Sequence, residues 1–115
     1  MRILSHLRTT LIAAACFAMI AVGPNLLGQD KGDAAKGKEV FDSNCSVCHN
    51  ADSTEKKMGP GLKGLFKRSK LANGKPMNEA NVRAQINEGG GGMPAYSDML
   101  SAEEKDNLIA YLKTL

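Results

Sequence analysis

Residues 45–49 read Cys45-Ser46-Val47-Cys48-His49, and nothing after them in the 115-residue chain is a cysteine or a histidine. Two thiols three positions apart fall within one helical turn, with an imidazole directly behind them. A thiol–disulfide exchange site shares the C-x-x-C spacing, but at a helix start beside a βαβ unit. No segment of this chain sustains the period-two alternation that strands require. A zinc site takes four ligands from cysteine, histidine or carboxylate, and apart from Cys16 and His6, near the start of the chain, Cys45, Cys48 and His49 are its only thiols and imidazole. A disulfide across two intervening residues closes too short a loop to stabilise much. Covalent haem attachment, for which C-x-x-C-H is the signature, uses all three side chains. Each thiol adds to a vinyl group of the ring to form a thioether, and the histidine faces the iron.

The first 28 residues read as a secretory leader. Arg2 and Arg8 precede an apolar run from Leu11 to Gly23, and residues 9–29 carry no charge. At thirteen residues this run is shorter than the roughly 20 that a membrane-spanning helix needs. Cleavage is expected between 23 and 28, leaving a domain over 29–115 that is soluble in the periplasm or another extracytoplasmic space; retention of the leader as an anchor is the other arrangement. His6 and Cys16 leave with the leader.

Three helical stretches follow. Residues 33–44 open on Asp33 as a cap and carry Gly37 and Phe41 on one face. Residues 78–89 open on Asn78, place Val82 and Ile86 four apart and stop at glycine. Residues 101–115 open on a Ser101/Glu104 capping box and carry Leu108, Tyr111, Leu112 and Leu115 as a stripe. The segments between them, 58–76 and 89–99, are rich in glycine and proline and read as loops. The expected fold class is all-α with long loops. Beyond the leader the aromatics are Phe41, Phe66, Tyr96 and Tyr111, too few for a self-sufficient core in a domain this small. A large apolar cofactor would complete it.

The chain resembles the small monohaem class I c-type cytochromes of bacteria. The likeness runs from Asp33 to Leu115 and rests on CSVCH, on GPGLKGLFKR at 59–68, on MPAY at 93–96 and on LIAYLK at 108–113, in the family's order. It implies a cytochrome c fold of three to five short helices with long loops wrapped around one haem c, bound through Cys45 and Cys48 and ligated by His49. Without the leader no second histidine is available for the other axial position, and methionine is the usual alternative. Met58, Met77, Met93 and Met99 are the candidates. Met93 is selected because it lies between Gly89–Gly92 and Pro94, where backbone can approach a flat ring, and because the family's distal ligand sits in an MPAY-like loop. Met58, just before Gly59-Pro60, is the rival. The resemblance further assigns the Pro60 carbonyl as acceptor for the ring proton of His49, Arg68 as partner of a haem propionate, and Gly37 and Phe41 as the place where the last helix crosses the first.

Charge is unevenly spread. Residues 56–75 hold Lys56, Lys57, Lys63, Lys67, Arg68, Lys70 and Lys75 and no acid, within a chain of formal net charge +3. Near-neutral overall and poor in aromatics, the chain is not expected to bind nucleic acid. The basic stretch suits docking to the acidic surface of a larger redox protein, with fast, steered association. The expected function is therefore one-electron transport between larger donors and acceptors by a monomer that is not itself an enzyme. Two alternatives remain: a haem protein with an open or labile sixth position that binds small ligands or reacts with peroxide, and a fixed subunit of a dehydrogenase or oxidase.

Overall fold

A computed structural model describes residues 31–115, and the leader expected over 1–28 lies outside the described residues. Among the described residues there are three α-helices, α1 (Ala34–Asn44), α2 (Glu79–Glu88) and α3 (Ala102–Leu112), with one 3-10 turn at Leu65–Lys67. Among the described residues there is no strand, only isolated bridges between Lys70 and Pro76 and between Gly90 and Met93. No described helix is long and apolar enough to cross a membrane.

Each helix begins where a side chain can satisfy its unpaired amides. Asp33 Oδ1 accepts from the amides of Ala35 at 2.8 Å and Lys36 at 3.2 Å. Asn78 Oδ1 accepts from the Asn81 amide at 2.8 Å. Ser101 and Glu104 form the full reciprocal box, with the Ser101 amide donating to Glu104 at 2.7 Å and the Glu104 amide donating to Ser101 at 3.1 Å. α2 ends at Gly89, whose φ of 66° places it in the left-handed region.

The core is the crossing of α1 over α3. Phe41 is 2% exposed, Leu108 1% and Ile109 2%, and burying each such side chain contributes about 1.5–3 kcal/mol. Gly37 makes the close crossing possible: a methyl there would overlap the Asn107 carbonyl and lie 2.8 Å from Tyr111 Cβ. Phe41 and Tyr111 meet in a tilted pair with ring centroids 5.5 Å apart, within the range aromatic pairs prefer. Buried Asn107 accepts the Asp33 amide at 2.7 Å, tying the start of α1 to α3. α2 leans on α3 through Arg83 and Asp106 at 2.6 Å and through Lys113 and Glu79 at 3.0 Å. One detail departs from the sequence expectation: α3 stops at Leu112, so Leu115 packs on the core from beyond the helix, and Ile109 joins Leu108 and Leu112 on the buried stripe.

Candidate functional site

The cysteines stand on a turn immediately past the end of α1. Cys45 caps the helix by donating its amide to Phe41 O at 2.8 Å, and Cys45 O then receives the amides of Cys48 at 3.0 Å and His49 at 2.9 Å. This folds residues 45–49 into one tight turn that presents Cys45, Cys48 and His49 to a single cavity of about 720 Å³. Cys45 and Cys48 are not joined in a disulfide. Before haem is attached, burial, with a smaller contribution from neighbouring Cys48, pushes the Cys45 thiol up to about 11.

His49 is fixed from two sides. Its Nδ1 lies 2.8 Å from the Pro60 carbonyl, and Gly59 packs so closely on the ring that a methyl there would fall 2.8 Å from Nδ1 and 3.0 Å from Nε2. The Gly59 amide donates to Cys48 O at 2.8 Å, and the Leu62 amide to Asn50 O at 2.7 Å, which holds the 59–62 strip against the cysteine turn. Arg68 reinforces the same loop from within. Its Nη2 donates to Gly61 O at 2.7 Å and to Lys63 O at 2.8 Å, while the residue also lines the cavity. It is thus a clamp on its own loop rather than a free surface charge.

The other wall comes from α2 and the segment after it. Val82 and Ile86, 3% and 6% exposed, line the cavity together with Leu62, Leu65 and Leu112. Met93 lines it too, on a turn closed by paired bonds to Gly90 of 2.9 Å and 3.1 Å. Within that turn glycine is required for conformation more than for space. Gly90, Gly91 and Gly92 have φ of 108°, 62° and 94°, and no protein atom lies within 4 Å of where their side chains would begin. Tyr96 secures the segment: its hydroxyl donates to Asn44 O at 2.9 Å and its amide to Ile86 O at 2.9 Å. Burial raises the Tyr96 hydroxyl above its ordinary value.

Of the other methionines, Met58 reaches the same cavity but is 71% exposed, Met99 is 63% exposed and Met77 is packed against the core. The structure therefore brings Cys45, Cys48, His49, Pro60, Arg68 and Met93 to one cavity. Gln85 also belongs there, and sequence reasoning passed over it. Its Nε2 donates to Gly89 O at 2.9 Å and lies 3.8 Å from the Met93 sulfur. A signal was available: at i+3 from Val82 and next to Ile86, Gln85 is a polar residue on the buried face of an amphipathic helix.

Protein interiors leave few voids larger than a water molecule, whereas this domain opens about 720 Å³ between an apolar wall and two thiols, an imidazole and a thioether. That donor set and cradle fit a haem. A family model described as cytochrome c oxidase, cbb3-type, subunit III matches residues 32–112. The chain is 39% identical over 80 residues to a cytochrome c6 of Leptolyngbya boryana, covering 70% of this chain and 89% of that protein. It is 36% identical to a cytochrome bc1 complex cytochrome c subunit of Corynebacterium diphtheriae, covering 76% of this chain and 29% of that longer protein. The solved structure of cytochrome c6 from the diatom Phaeodactylum tricornutum superimposes with a TM-score of 0.55 at 31% identity, covering 72% of this chain and 93% of that one. The chain belongs to the small monohaem class I c-type cytochromes, heme proteins of electron transport, with one haem c held covalently through Cys45 and Cys48.

Proposed function

We propose that the protein is an extracytoplasmic one-electron carrier whose iron is held between His49 and Met93. The observation that carries this reading is the 2.8 Å contact of His49 Nδ1 with the Pro60 carbonyl. A carbonyl only accepts, so the ring proton resides on Nδ1 and the lone pair on Nε2. An imidazole locked in that tautomer is a prepared nitrogen ligand. Met93 supplies a soft donor to the same cavity from a turn anchored by Tyr96.

When bound, the haem would supply the one-electron couple of its iron, and methionine ligation raises the potential of such a couple. The chain does the rest. Cys45 and Cys48 fix the group to the end of α1, and Gly59 and Pro60 hold the imidazole plane. Leu65, Val82 and Ile86 line the cavity with apolar surface. Arg68, already anchored on its loop, offers positive charge to a haem carboxylate. Ligands held this firmly move little between oxidation states, which suits rapid transfer with no substrate bond made or broken.

Larger redox proteins serve as donor and acceptor. Lys56 and Lys75 line the cavity, and Lys57, Lys63, Lys67 and Lys70 are exposed nearby in sequence. Among the described residues none of these lysines is in an ion pair. Such a face steers an acidic partner surface into contact and releases it readily in salt. A second reading is favoured by the comparisons: both the family description and the Corynebacterium relative are named as subunits of respiratory complexes. Purification with large partners bound would establish that arrangement.

The test is an absorption spectrum of matured protein, oxidised and reduced, into the near-infrared. The weak charge-transfer band of a methionine–iron bond should be present, vanish in Met93→Ala and persist in Met58→Ala. A high-spin spectrum that binds carbon monoxide rapidly on reduction would replace the carrier by an open-iron protein.

A further inference from the structure

A run of hydrogen bonds reaches Met93 from a surface turn. The Lys75 amide donates to Asn73 Oδ1 at 2.9 Å, and Asn73 Nδ2 donates to Gln85 Oε1 at 2.7 Å. Gln85 Nε2 donates in turn to the Gly89 carbonyl at 2.9 Å and faces the Met93 sulfur at 3.8 Å. The turn is itself well held, with the Leu71 amide on Lys75 O and the Gly74 amide on Leu71 O, both at 2.9 Å. Asn73 and Gln85 both line the cavity.

A carboxamide has an oxygen that accepts and an NH2 that donates, and the sense of the chain depends on which way each is turned. Here both ends are backbone groups with one possible role. The Lys75 N–H can only donate, so the Asn73 oxygen faces it and the Asn73 NH2 turns to Gln85. The Gly89 carbonyl can only accept, so the Gln85 NH2 faces it and the Gln85 oxygen turns to Asn73. The two assignments are mutually consistent, and each enforces the other.

We propose that Asn73 is a positioning residue for the Met93 thioether: acting through Gln85, it keeps the donor end of that amide on the sulfur. The proposal rests on the reading of Met93 as ligand. A donor on the sulfur draws electron density away from its bond to iron, which disfavours the ferric state and raises the reduction potential. An acceptor oxygen in the same place does the reverse. Asn73→Asp would supply that reversal, because a carboxylate at 73 repels Gln85 Oε1 and takes a charge-assisted bond from its NH2 instead. Asn73→Ala releases the amide without adding charge.

The experiment measures the reduction potential of matured protein for wild type, Asn73→Asp and Asn73→Ala, each repeated with Gln85→Leu. Asn73→Asp should lower the potential, and by clearly more in the Gln85 background than in the Gln85→Leu background. Asn73→Ala should give a smaller downward shift that disappears with Gln85→Leu. A new surface charge acting alone would shift both backgrounds equally, and that result would overturn the proposal. Nuclear magnetic resonance of the reduced protein gives a second reading independent of Gln85→Leu. Contacts between the Gln85 Nε2 protons and the Met93 methyl should be present in the wild type and lost in Asn73→Asp; their survival would also overturn it. Absence of the methionine–iron band from the wild type would overturn the ligand assignment instead, leaving the amide contacts to judge the relay.

Discussion

Gly59→Ala should damage the protein through one imidazole. The backbone at Gly59 has no positive φ that demands glycine, so conformation alone would make alanine welcome, by about 0.4–1 kcal/mol through the unfolded state. Contact decides the other way. The added methyl would lie 2.8 Å from His49 Nδ1 and 3.0 Å from Nε2, with Cε1 nearer still. These are ring atoms, with no flexible end to swing aside, so the whole imidazole must shift and the 2.8 Å contact to the Pro60 carbonyl is lost. Overpacking of this kind costs about 1–3 kcal/mol and the lost hydrogen bond about 1 more, so the net destabilisation is about 2 kcal/mol. For a domain this small that lowers Tm by roughly 8–16 °C.

The assay is thermal or guanidinium unfolding of the matured protein, followed by haem absorbance, with the reduction potential measured alongside. Displacing the ring also weakens its hold on the Nδ1 proton, so the potential should move together with Tm. Gly64→Ala is a useful contrast. Gly64 has a φ of 69° and open space around it, so its alanine variant should lose stability through backbone strain while leaving the potential in place. A Gly59→Ala protein as stable as wild type, with an unchanged potential, would refute the view that His49 is wedged between Gly59 and Pro60.

Two further outcomes follow from the same geometry. Glu79 is held below its ordinary value of 4.5, chiefly by the hydrogen bond from Lys113 and then by Arg83. A carboxyl depressed in the folded state stabilises it above the unfolded value and loses that contribution as pH falls through the folded one. With a side chain 48% exposed, the contribution is no more than about 0.5–1 kcal/mol. Glu79→Gln should therefore be slightly less stable than wild type at neutral pH and equal to it in acid below the folded-state value, as read by unfolding midpoints across pH. Cys45→Ala/Cys48→Ala, which cannot attach haem covalently, should show no cooperative melt by calorimetry or circular dichroism. The described chain buries only ten apolar side chains well, too few to offset its ordering entropy without the group they surround.

The sequence foretold whatever is encoded within a few neighbouring residues. All three helix starts are side-chain caps within three positions of the amides they serve, and the attachment turn is contiguous. What escaped notice depends on residues distant in the chain. Asn107 looks like a solvated polar residue until α3 crosses α1, where it accepts the Asp33 amide 74 positions away. Arg68 is expected as the partner of a haem propionate, and what the sequence does not show is that its guanidinium also donates to the Gly61 and Lys63 carbonyls of its own loop. The glycines before Met93 suggested close approach to a flat ring, and their positive φ values reveal a conformational demand that composition alone does not distinguish.

A thin core and a firmly held cavity are compatible here because the segments that carry His49 and Met93 are tied to the same helix end. The Asn44 carbonyl closes α1 and accepts the Tyr96 hydroxyl at 2.9 Å, and the next residue is Cys45, where the attachment turn begins. Tyr96 in turn fixes the Met93 turn to α2 through Ile86 O, and buried Lys105 on α3 donates to Ser97 O at 2.8 Å. Movement of the methionine segment relative to the histidine turn must therefore break bonds to all three helices at once. Each such bond contributes only about 1 kcal/mol net, but breaking them together makes opening cooperative. Rigidity between the His49 turn and the Met93 turn thus comes from where the bonds converge, and the number of apolar residues buried matters less than their arrangement around that point.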